Sequence, residues 1–102
     1  MTSEDFNKLT KEQLDHCMEI LSSKAKEYAT GDRLHNFKTA AILESCSPQQ
    51  ALVGMMAKHT ICIYDMCMSG EKYTDEMWHE KITDNINYLL LLNAIIFERS
   101  QK

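Results

Sequence analysis

Glycine and proline are scarce, three and one among 102 residues, which excludes a strand-rich fold whose tight turns call for both. Long apolar runs are missing too. Nothing approaches the roughly 18 consecutive apolar residues of a membrane span, and the N-terminal segment has no signal-peptide core. There is no excess of basic charge. Eleven Lys and Arg stand against 15 Asp and Glu, for a formal net charge of −4, so no electrostatic footprint for duplex nucleic acid exists. Cys17, Cys46, Cys62 and Cys67 form no C-x-x-C spacing, and His16, His35 and His79 stand at no zinc spacing with them. With no export signal, the thiols are expected to be reduced in a cytoplasmic protein, Cys17 and Cys62 as semi-buried packing residues.

What is abundant suits helices: Lys, Glu, Met, Leu and Ala. The expectation is one all-α domain over residues 1–102, a four-helix bundle-like subunit with its last two helices antiparallel. Residues 1–9 are read as a flexible arm and 98–102 as a frayed end. Thr10-Lys11-Glu12-Gln13 reads as a capping box, after which Leu14, Met18, Leu21, Ala25 and Tyr28 recur at helical steps and Gly31 stops the helix. A short second helix runs from about Arg33 to Glu44, with Leu34, Phe37, Ala41 and Ile42 inward. Ser47-Pro48-Gln49-Gln50 opens the third, whose face is Leu52, Met55, Met56, His59, Ile63 and Met66, ending near Gly70. Thr74, Asp75 and Glu76 open the fourth, acids suiting the positive end of its dipole.

Two stripes run along that last helix. Trp78, Ile82, Asn85, Leu89, Leu92 and Ile96 read as the core seam. From Leu89 to Phe97 the helix is apolar nearly all round, and such a helix must be covered on every side. Three companions of this size barely suffice, so self-association is expected, as a dimer or a dimer of dimers.

The second stripe carries the chemistry. Glu80, Asp84 and Asn87 share one face that continues into Leu91 and Ile95, so acids run into packing instead of staying in solvent. A hard divalent cation is the commonest reason to keep carboxylates there. The bland alternative is a solvated charge cluster with Lys81. Asp65 near the end of the third helix is expected to approach Glu80 and Asp84 if the two helices pack antiparallel; otherwise it pairs with Lys58 or Lys72. Three converging carboxylates would raise one another's pKa unless Mg²⁺ neutralised them. A second patch, from Lys24 to Phe37, sets Arg33 to fork onto a phosphate, Asn36 to read a base edge or cap a helix, and Phe37 to stack on a base or enter the core. His59 reads as a core histidine or a ligand contact.

The order Gly31-Asp32-Arg33, Asn36-Phe37, Ser47-Pro48, Lys58-His59, Asp65, Trp78-x-Glu80-Lys81-Ile82-x-Asp84 and Asn87-Tyr88-Leu89 resembles small phage and prophage proteins with a nucleotide-modification-associated domain. The Glu80…Asp84 element is similar to the second acidic motif of the all-α, MazG-like nucleotide pyrophosphohydrolases. That resemblance implies an oligomeric helical enzyme that holds Mg²⁺ on carboxylates of two helices and cleaves nucleoside triphosphates. It would place the metal on Asp65, Glu80 and Asp84, charge stabilisation on Lys58 or Arg33, and the nucleoside on Asn36, Phe37 and Asn87, in the host cytoplasm for a phage protein. The sequence departs from that pattern in offering only Asp65 where the superfamily has a Glu-Glu-x-x-Glu cluster. Three readings follow: a Mg²⁺-dependent pyrophosphohydrolase (with Lys58 and Glu80 as its catalytic groups), a non-catalytic nucleotide binder using Arg33, Lys58 and His59, or an oligomeric helical adaptor with a buried polar network.

Overall fold

The computed structural model describes residues 1–27 and 31–101, and these form helices with no strand among them. They are α1 (Ser3–Ala25), α2 (His35–Glu44), α3 (Pro48–Ser69) and α4 (Asp75–Arg99). The all-helical expectation holds, and the starts of α3 and α4 lie where their caps are written. The Ser47 hydroxyl accepts from Gln50 N–H and the Gln50 side chain accepts from Ser47 N–H, closing a capping box with Pro48 in the first turn. Thr74 accepts from Met77 N–H at 3.1 Å, and Gly70, with φ 72°, ends α3 in the left-handed conformation that glycine adopts without a Cβ clash.

α1 departs from expectation at both ends. It starts at Ser3, because the Thr2 hydroxyl accepts from Asp5 N–H at 3.0 Å and Glu4 and Asp5 lie in the first turn. Residues 3–9 are therefore helix instead of an arm. Thr10 and Gln13 lie inside α1, and the Gln13 amide donates to the Thr83 hydroxyl on α4 at 2.8 Å. The helix stops at Ala25, capped by Lys26 in a right-handed conformation. Gly31 is not the stop, since the left-handed positions among the described residues are Ser45 and Gly70. Tyr28 lies outside the described residues. At the other end of the chain α4 continues through Arg99, past the point where fraying was expected.

The core is built on Leu34, Phe37, Leu52 and Ile95, with Met56, Tyr88, Leu91 and Leu92 packed against them. α4 presents Thr83, Asn87 and Ile95 inward, along the Glu80–Asp84–Asn87–Leu91–Ile95 stripe, while of the expected seam Leu92 packs on the core. Ile82 and Leu89 of that seam are 41% and 53% exposed. Ile42, expected inward, is exposed on α2. Cys17 is fully buried and Cys62 half-buried, and all four cysteines are free thiols.

The chain is open for its size. Its radius of gyration is 15.8 Å, against about 13 Å for a compact domain of this length. It exposes 7642 Å², against about 5,900 Å² for a compact monomer of this mass, an excess of roughly 1,700 Å². No helix among the described residues is long and apolar enough to cross a membrane.

The Gln13–Thr83 bond joins α1 to α4 across 70 positions of sequence. Gln13→Ala leaves the buried Thr83 hydroxyl without its donor and is expected to cost about 1–2 kcal/mol in urea unfolding. Adding Thr83→Val should recover part of that loss.

Candidate functional site

Asp32 organises the segment ahead of α2. One carboxylate oxygen accepts from Leu34 N–H at 2.9 Å and the other from Lys38 Nζ at 2.6 Å, a local turn of the kind aspartate forms two residues before its donor. Lys38 also pairs with Glu98 near the end of α4. Arg33 extends toward α1 and donates to the Leu21 carbonyl at 3.3 Å. The turn thereby sets Arg33, Asn36 and Phe37 against the middle of α4.

There the four elements enclose a cavity of about 150 Å³, lined by Leu21 and Lys24 of α1, by Arg33, Asn36 and Phe37, by Met55 of α3, and by Asp84, Asn87, Tyr88 and Leu91 of α4. Residues 84, 87, 88 and 91 follow the spacing of one helical face. Asn87 is only 7% exposed, and its Oδ1 has no hydrogen-bond partner. A buried carbonyl oxygen with no donor is costly, about 1–3 kcal/mol, and is uncommon enough to call for a function. Asp84 is braced from behind: its Oδ2 lies 3.7 Å from His59 Nδ1, and the His59 ring packs on Tyr88 with centroids 5.1 Å apart. Asn85 pins α4 to α3 by donating to the Lys81 and His59 carbonyls at 2.8 and 3.1 Å.

Of the residues singled out from sequence, Arg33, Asn36, Phe37, Asp84 and Asn87 come together around this cavity. Phe37 is a buried wall and Asn36 is at the exposed rim. His59 supports Asp84 without lining the cavity. Glu80 lies in an adjoining groove of about 400 Å³ between α1 and α4, which shares Lys24 and Asp84 with the cavity and also contains Glu76 and the stacked His16 and His79.

Lys58 and Asp65 are not brought in. They line a different groove, with Met66, Tyr73, Met77 and Lys81. The expected three-carboxylate convergence of Asp65 with Glu80 and Asp84 therefore does not form. Among the described residues no three His, Cys, Asp or Glu side chains are grouped to hold a metal ion. Met55 and Tyr88 were not singled out from sequence as site residues, and Lys24 only as the start of the second patch. Tyr88 is one helical turn from Asp84 and beside the stripe already drawn, so the signal was present.

No protein-family model matches the chain, and neither the curated proteins nor the solved structures compared with it gave a match. The reading of the site rests on its geometry.

Lys38 and the Leu34 N–H hold the Asp32 carboxyl below its ordinary pKa. A carboxyl that titrates lower when folded than when unfolded contributes its full stability above about pH 4, and loses it as the pH falls through the folded value. Denaturation midpoints of wild type and Asp32→Asn should therefore differ at pH 6 and converge as the pH drops below about 4.

Proposed function

We propose that the chain binds a nucleotide, with the ring in the small cavity and the phosphates toward Lys24 and Arg33. The unpartnered Asn87 Oδ1 carries this reading. A phosphate offers it no donor, whereas a ring N–H or exocyclic amine does, and a carboxamide can pair with a base edge. Apolar walls from Phe37, Met55, Tyr88 and Leu91 suit a flat ring. A volume of about 150 Å³ is that of a cavity taking a single six-membered ring, so a one-ring base is favoured. Lys24 and Arg33 line the same cavity, and Lys24 is exposed. In this reading α3 and α4 run antiparallel, supported by the order in which Asp65 shares a groove with Met77, His59 meets Asp84, and Met55 shares the cavity with Leu91.

A second reading, Mg²⁺-dependent cleavage of a nucleoside triphosphate to monophosphate and pyrophosphate, is favoured by Glu80 and Asp84 lining one groove beside the cavity. Two carboxylates fit an Mg²⁺ that arrives with phosphate oxygens supplying its other ligands, not one caged by protein alone. Such an ion would neutralise charge on the phosphates beside two acids.

Calorimetric titration with nucleoside mono- and triphosphates, in EDTA and in Mg²⁺, tests both. Asn87→Leu is expected to weaken binding at least tenfold while leaving the melting temperature of the free protein unchanged or raised, because it removes an unpaired buried oxygen. Lys24→Ala should weaken a triphosphate more than its nucleoside. Binding that survives Asn87→Leu, or no binding to any nucleotide, rejects the site and leaves the adaptor reading. Pyrophosphate release abolished by Asp84→Asn would establish the hydrolase.

A further inference from the structure

His16 of α1 and His79 of α4 meet in the groove that adjoins the cavity, with ring centroids 4.5 Å apart and planes 34° from parallel. The Gln13–Thr83 bond fixes the pair, since Gln13 is one helical turn from His16 and Thr83 one turn from His79. Among the described residues neither imidazole has a hydrogen bond or an ion pair, so the nitrogens of both rings are open. The groove around them, about 400 Å³, is lined by the acids Glu76, Glu80 and Asp84 and by one cation, Lys24. It therefore attracts positive charge. Glu76 stands three residues before His79. Glu-x-x-His on a helix puts a carboxylate and an imidazole on one face, an arrangement that helical bundles use to hold metal ions.

We propose that His16, His79 and Glu76 bind a zinc ion between α1 and α4, with water in its fourth position. Two imidazole nitrogens about 2.0–2.1 Å from one tetrahedral ion put their ring centroids roughly 5 Å apart, so the observed pair needs to part by less than about 1 Å. Glu76 is exposed and joins the two rings by rotation about its own side-chain bonds. Donor chemistry selects the metal. Mg²⁺ takes oxygen ligands, whereas imidazole suits zinc, and two histidines with one carboxylate are a known zinc set with an open position. The site is thus separate from any Mg²⁺ on Glu80 and Asp84, and it does not depend on the cavity holding a nucleotide. An ion there ties α1 to the helix it packs on.

Calorimetric titration of the full chain with Zn²⁺ in excess Mg²⁺ is the test, together with imidazole nitrogen NMR of the wild type. The ring signals of His16 and His79 are expected to shift on adding Zn²⁺, and that of His35 on α2 to stay. His79→Gln and Glu76→Gln, both at exposed positions, should each weaken Zn²⁺ at least about tenfold, whereas His35→Gln should leave it unchanged. Zn²⁺ should also raise the melting temperature of the wild type and not that of His79→Gln. No Zn²⁺ binding overturns the proposal. So does binding that survives His79→Gln without shifting either ring, which would assign the ion to the free thiols. Binding that needs both histidines but is unchanged in Glu76→Gln overturns the ligand set. The NMR readout uses no variant, so a substitution that fails to fold does not remove the test.

Discussion

α4 is a single helix asked to cover three neighbours. α1 packs on its N-terminal half, where Thr83 is buried and takes the Gln13 bond. α3 lies along its length through Asn85 and Tyr88. The segment from Leu34 to Lys38 reaches its C-terminal half through Ile95 and Glu98. A helix has one circumference, and these contacts share it. The cavity forms where the neighbours meet around its middle.

That arrangement explains why an amide sits at a core position. Along the inward stripe the side chains change from Glu80 and Asp84, through Asn87, to Leu91 and Ile95, as the surroundings change from groove to cavity to packed core. An apolar side chain at 87 would serve stability better, since a buried oxygen without a donor lowers it by about 1–3 kcal/mol. Asn85, two residues earlier, has both an amide donor satisfied and a structural task. The two asparagines on one helix therefore differ in kind: one ties helices together, while the other keeps an acceptor open in a pocket that Lys24 and Arg33 also line.

Much of this was legible in the sequence, and the failures have physical causes. The caps at Ser47 and Thr74 were read correctly because their local hydrogen bonds need no tertiary context. The Thr10–Gln13 pattern misled because Gln13 has a better partner in Thr83, which no local rule contains. The Glu80–Asp84–Asn87 stripe was found because a polar face turning apolar is visible from spacing alone. The Ile82–Leu89 seam was equally periodic and was assigned to the core, although periodicity identifies a face without saying whether the same chain covers it. Asp65 failed for an angular reason. It was placed near Glu80 and Asp84 by height along the helices, whereas its direction from α3 takes it to the groove shared with Lys58 and Lys81.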